Sequence, residues 1–173
     1  MTQRRVTDIK KRLVAASRQI EISRFHYHEL EKILPSAKPD ERDMPPIPVQ
    51  AFFEGTVISA FAAIDKLLGA IARHYSVPRE FEQLANIESF APGSKNLQDK
   101  ENFYRDLKKS RNEAVHESLT KTHEGLVWMV KKPNRTGYTG ARDILRYSKA
   151  AVEFAQACAP VIEELEKNWV TTL

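Results

Sequence analysis

The chain has 173 residues, 42% apolar and 29% charged, with one Cys and a net charge of +4. That length suits a single domain, 1–173, able to bury its own core, and a lone Cys158 excludes a disulfide framework or a Cys-based zinc cage. The longest apolar run, Phe52 to Ala72, is broken by Glu54, Asp65 and Lys66, and the basic start lacks an unbroken apolar stretch behind it. Neither a membrane span nor a secretory signal is therefore expected, and a cytoplasmic location is the default.

The first helix is expected over Val6–Leu34. Val6, Ile9, Leu13, Ala16, Ile20, Ser23, Tyr27, Leu30 and Leu34 alternate spacings of three and four. Such a repeat draws one narrow apolar seam along a long helix. Pro35 should end it. Five prolines then fall between 35 and 48 around the charged run Asp40, Glu41, Arg42 and Asp43, which marks a stiff crossover.

A second helix is expected over Val49–Tyr75. It is apolar on nearly every side, and a helix of that kind is covered on every side, so a second protomer is expected to lie against it. Pro78 opens a short helical turn to Leu84, and 86–98 read as loop. The third helix should start near Asp99, a plausible N-cap, and run through Glu117. Leu126 to Val130, followed by Pro133, Asn134 and Gly137, reads as one or two short strands or an ordered excursion over Gly125–Tyr138. The last helix is expected over Ala141–Trp169, with its seam on Ile144, Ser148, Ala151, Ala155, Cys158, Ile162, Leu165 and Trp169. Pro160 inside it should kink or restart it. The fold class that follows is all-α, a four-helix bundle with long first, second and fourth helices.

Charge is uneven along the chain. Between Arg105 and Lys149 there are eleven Lys and Arg against five Asp and Glu, a surplus of six, so the remainder sums to −2. A one-sided surplus attracts polyanions, although the plainer reading is a solvated basic face. Lys108, Lys109, Lys131, Lys132, Arg142 and Arg146 are the candidate contacts to a nucleic-acid backbone.

The segment from Lys108 to Glu117 carries the chemistry. At 100° per residue Phe103, Tyr104, Leu107, Ala114 and Val115 fill one apolar arc, and Arg111 falls inside it. A buried guanidinium costs several kcal/mol unless paired, so Arg111 needs a partner or a purpose. The plainer reading is a bridge to Asp65 or Glu54, which share one stripe of the second helix. Asn112 and His116 lie four apart on a face about 100–140° from Arg111. One straight helix does not aim Arg111 and His116 at one atom, whereas two copies about a two-fold axis can. Histidine exchanges protons near neutral pH, and an arginine fork suits a phosphate. The pair points to phosphodiester chemistry.

Arg111-Asn112, followed by His116 near the end of a third bundle helix, resembles the signature of the HEPN superfamily, an Arg and a His separated by four to six residues. The resemblance covers the bundle in outline, from Val6 to Trp169, and motif identity only at Arg111–His116. It implies a homodimer whose composite cleft holds both copies of the motif, and in many members a metal-independent endoribonuclease of toxin–antitoxin, defence or RNA-processing systems. Carried over, Arg111 would bind the scissile phosphate. His116 would activate the 2′-hydroxyl or protonate the leaving oxygen, and Asn112 would orient RNA or His116. Asp65 or Glu54 would supply an accessory acid. The family implies no cofactor or metal, and an antitoxin of the nucleotidyltransferase type as a partner.

Two rivals stand beside this reading: a non-catalytic HEPN-type module that binds RNA, a nucleotide or a protein, and an unrelated helical scaffold. Elsewhere, Arg24, Phe25 and Tyr27 beside His26 and His28 mix basic and aromatic groups suited to RNA, but read first as seam and surface. His74 and His123 have no ligand partner at i+3 or i+4, and Cys158 reads as core.

Overall fold

The computed structural model describes residues 3–37, 46–76, 101–116 and 141–167, with side chains from Arg4, from Asn102 to Asn112 and from Ile144 in the respective stretches. Among these residues the fold is all-α, without strands. Helix α1 spans Gln3–Ile33, α2 Ile47–Tyr75, α3 Glu101–His116, α4 Ala141–Ala157 and α5 Ala159–Leu165. The expected turn at Pro78–Leu84, the cap at Asp99, the excursion over Gly125–Tyr138 and the seam residue Trp169 lie outside the described residues.

Helix α1 has 31 residues, about 46 Å at 1.5 Å each. Its seam is the one the spacing predicts: Ile9, Leu13, Ala16, Ile20, Ser23 and Leu30 are buried, with Val6 and Tyr27 half-buried. The α-helical pattern stops at Ile33, and Pro35 sits within a single 3₁₀ turn over Leu34–Ser36. The Ala37 N–H closes that turn on the Leu34 carbonyl at 3.2 Å.

Helix α2 begins two residues earlier than the sequence suggests, at Ile47, with Pro48 in its first turn. Proline fits there because a first-turn N–H has no intrahelical acceptor to lose. The helix ends at Tyr75, and Ser76 follows in the left-handed region at φ 58°. A non-glycine residue there costs roughly 1–2 kcal/mol. Arg5 at the start of α1 supplies a compensation. Its guanidinium donates to the Arg73 carbonyl, the His74 carbonyl and Ser76 Oγ, each at 2.7 Å. A cation over unpaired terminal carbonyls also favours the helix dipole. Asp8, one turn on, bridges Arg12 at 3.2 Å and Arg73 at 3.0 Å. The hydrogen bond from Arg12 is the main reason its carboxyl lies below the ordinary range, with both arginine charges adding to it and burial opposing.

With Arg5 at the far end of α2 and His26 against Gly55, α1 and α2 run antiparallel. Helix α4 packs on both, α3 lies on α2, and α5 returns to α1. One apolar cluster joins Leu13 of α1, Leu67 of α2, Leu107 of α3, Phe154 of α4 and Ile162 of α5. Pro160 restarts the last helix. The α-helical pattern breaks at Cys158, whose N–H reaches the Ala155 carbonyl at 3.1 Å, and α5 opens with Pro160 in its first turn.

Helix α2 is long and apolar enough to cross a membrane, with a mean hydropathy of 1.5 over an 18-residue window, and 67% of that window is buried inside the protein.

Candidate functional site

Helix α3 divides along its length. Tyr104, Leu107 and Ser110 are buried, and Phe103 is half-buried. The opposite face exposes Arg105, Lys108, Lys109 and Asn112, which the helical repeat gathers into an arc of about 100°. Asp106 lies exposed beside them. The α3 backbone continues through His116, whose register position falls in the same arc, one turn beyond Asn112. Side chains at 113–116 lie outside the described residues.

Arg111 lies within the apolar arc, about 60° from the nearest residue of the basic one, with Tyr104 between them. It is half-buried. Its guanidinium carbon stands 5.9 Å from the centroid of the Phe61 ring of α2, within reach of a cation–π attraction. Phe61 in turn stacks on Tyr104 of α3, centroids 5.6 Å apart and planes 22° from parallel. Arg111 Nη1 donates to Asn112 Oδ1 at 3.0 Å, so this amide holds Arg111. The rotation of the α3 turn is set from beneath, where Ser110 Oγ and Tyr147 Oη of α4 share a hydrogen bond at 3.3 Å. Tyr147 also packs on Phe103 and Phe53, which locks α3, α4 and α2 together at this level.

The two acids singled out on α2 are both half-buried. They stand eleven residues apart, about 16 Å along the axis, so they cannot serve one arginine together. Asp65 lies one turn, about 6 Å, from Phe61, whereas Glu54 lies seven residues the other way. Glu54 Oε1 also accepts a 3.3 Å hydrogen bond from Gln50. Asp65 is the better placed of the two.

Of the remaining basic candidates, Arg146 is exposed on α4. Arg142 lies in the first turn of α4, its side chain outside the described residues, as are Lys131 and Lys132 entirely. Sequence reasoning missed Phe61, Tyr104, Ser110 and Tyr147 as supports of Arg111. Phe61 looks like every other apolar residue of α2, and only the crossing of two helices distinguishes it.

A concavity lies elsewhere, between α1 and α4, an open groove of about 560 Å³ lined by Arg24, Phe25, Tyr27 and His28 on α1 and by Lys149 and Val152 on α4. Phe25 is 58% exposed there. The sequence grouped these basic and aromatic residues as suited to RNA, and the fold does gather them. It also brings in Glu21, Glu31 and Glu153, each within ion-pair distance of a neighbour: Arg24 at 3.1 Å, His28 at 3.8 Å and Lys149 at 3.9 Å. The balance of charge removes any pull on a polyanion. Burial first, then the Glu31 carboxylate and more distantly Glu153, pushes the Tyr27 phenol up to about 12.

His26 sits on the other side of α1, its ring pressed onto α2 where Gly55 has no side chain. Phe25 and Phe52 flank it at 5.6 and 5.9 Å, and its Nδ1 is buried without a hydrogen-bond partner among the described residues. Burial lowers its pKa. It is a packing residue, as the plainer reading of the sequence held.

Compared with protein-family models, with curated proteins and with solved structures, the chain finds no match.

Proposed function

We propose that this chain is a HEPN-like endoribonuclease, metal-independent and active as a homodimer of four-helix-bundle domains in the cytoplasm. The observation that carries the reading is the layout of α3. An exposed basic arc, Arg105, Lys108 and Lys109, leads to Asn112 and the register position of His116, with Arg111 half-buried about 60° round the helix and held by Asn112. A polynucleotide backbone laid along that arc meets cations first and the Arg–His pair at its end. The dimer is expected to form about the thinly covered stripe of α2 and the end of α3, so that both copies of the motif face one cleft.

In the reaction, a 2′-hydroxyl oxygen attacks the adjacent phosphorus and the P–O5′ bond breaks, giving a 2′,3′-cyclic phosphate and a free 5′-hydroxyl. One imidazole of the two His116 copies takes the 2′ proton and the other delivers a proton to the leaving oxygen. Arg111 binds the non-bridging oxygens and offsets the charge that builds there. Asn112 holds Arg111, and Asp65 is the accessory acid. A toxin or defence role, with a nucleotidyltransferase-type antitoxin as partner, follows from the resemblance and rests on it.

Single-stranded RNA incubated with the protein in excess EDTA tests this. Cleavage should persist in EDTA and disappear in Arg111→Ala and His116→Ala. Salt-sensitive RNA retention without any cleavage would replace the enzyme with a non-catalytic binding module. A monomer that neither binds nor cuts RNA would end both.

A further inference from the structure

We infer that Phe61 is the positioning residue for Arg111: its ring, backed by Tyr104, holds the guanidinium at the place where it meets the phosphate. This rests on the ribonuclease reading above and adds a residue to it that no motif contains. Arg111 projects from within the apolar arc of α3 and is only half-buried, so its flexible four-bond side chain has many rotamers to choose from. The fold removes most of that choice. Phe61 is 7% exposed and Tyr104 8%, so the two stacked rings form a floor fixed by the surrounding core. The guanidinium carbon rests 5.9 Å above the Phe61 centroid, and Asn112 Oδ1 holds Nη1 at 3.0 Å. One contact limits where the centre of the fork lies and the other holds one of its nitrogens.

The ring's electron-rich face is the working part, so the test alters that face at constant shape. Pentafluorophenylalanine placed at position 61 keeps the ring's outline and reverses its quadrupole; Phe61→Leu removes the ring, and Phe61→Tyr restores it. With RNA as substrate, the fluorinated and Leu variants should lose three- to tenfold in kcat while KM moves less than twofold. Phe61→Tyr should stay within twofold of the parent. A second readout needs no activity. The Arg111 Nε–Hε resonance, assigned by its loss in Arg111→Lys, should lie upfield from the ring current and move on fluorination.

If that resonance is unmoved, or if the fluorinated protein keeps full kcat, the platform is wrong even in an active enzyme. If the resonance moves but the parent protein neither binds a 2′-O-methyl RNA nor cuts RNA, the ribonuclease reading falls, and with it the role of Phe61 in cleavage.

Discussion

Gly55→Ala offers the sharpest check on the packing of α1 against α2. In an open helix position this change stabilises by about 1 kcal/mol, because glycine carries the larger entropy cost. Here a Cβ on residue 55 would stand 2.8 Å from both Cγ and Nδ1 of His26. Carbon contacts are comfortable near 3.5–4.0 Å, so the ring must withdraw by about 1 Å. The blocked atoms belong to the root of the ring, and Phe25 and Phe52 flank it, so the withdrawal turns His26 about its first torsion or parts the helices. Overpacking of this kind costs about 1–3 kcal/mol. The net expectation is a loss of about 1 kcal/mol in place of the ordinary gain. Removing the ring should restore the gain: in a His26→Ala background, Gly55→Ala should stabilise by about 1 kcal/mol, a coupling of about 2 kcal/mol. Urea unfolding of the four proteins of this cycle measures it through the midpoints. Equal stabilisation by Gly55→Ala in both backgrounds would show that His26 does not occupy the notch, and the registration of α1 on α2 would be wrong with it.

Arg5→Ala removes three hydrogen bonds from the end of α2 and should cost about 1 kcal/mol, discounted for exposure, or about 2–4 °C in Tm for a chain of this size; an unchanged melting curve would deny the cap. Stability should also depend on pH through His26 and His74, whose pKa values burial lowers, with the Arg5 charge adding to the effect at His74. Each therefore takes up its proton at a lower pH in the folded chain than in the unfolded one, which does so below about pH 6.5. Stability should therefore be full above about pH 6.5 and fall toward pH 5, less steeply in His26→Gln, and a midpoint that rises on acidification would reverse the assignment. Cys158 is wholly buried and its thiol is pushed up to about 12, so a thiol reagent at pH 8 should label it only as urea unfolds the protein. Prompt stoichiometric labelling of the native chain would place it elsewhere.

The helices were legible where one local rule decides the outcome. The seam of α1 repeats without interruption, so its buried face follows from the 3.6-residue period alone. Pro160 announces a break because the missing N–H acts on its own turn. The start of α2 was displaced by two residues because Pro48 reads equally as a stop and as a first-turn residue. What the sequence could not reveal is interaction between distant elements. Arg5 caps a helix that ends some seventy residues later, and no local pattern marks it. Gly55 reads as a mere small residue until His26 is laid against it. The site shows the same division. Arg111 was conspicuous as a cation within an apolar arc, and the expectation that it needs a partner was sound chemistry. The sequence proposed carboxylates, because charge pairing is the first remedy that comes to mind for a buried cation. The fold adds an aromatic face and a neighbouring amide, which no charge count would select.

Helix α2 raises a last question, since its composition alone would let it enter a lipid bilayer. The arrangement of its less covered residues decides what surface it offers. Ala51, Glu54, Gly55, Ile58, Ala62, Asp65 and Lys66 are its exposed or half-buried positions between 51 and 66, together with Phe52. All but Phe52 fall within about 120° of one another. That stripe holds the three charged residues of the helix that precede Arg73 and is covered at Gly55 by His26, while the rest of the circumference, Phe52 apart, is buried against α1, α3 and α4. A helix in lipid does the reverse: apolar side chains meet the hydrocarbon, and charges turn inward to partners or water. The stripe suits water or a polar protein partner. It is also the stripe on which Asp65 lies, one turn from Phe61. An acid at 65 is tolerable in so apolar a segment because it lies on this half-buried stripe, clear of the circumference that the core covers.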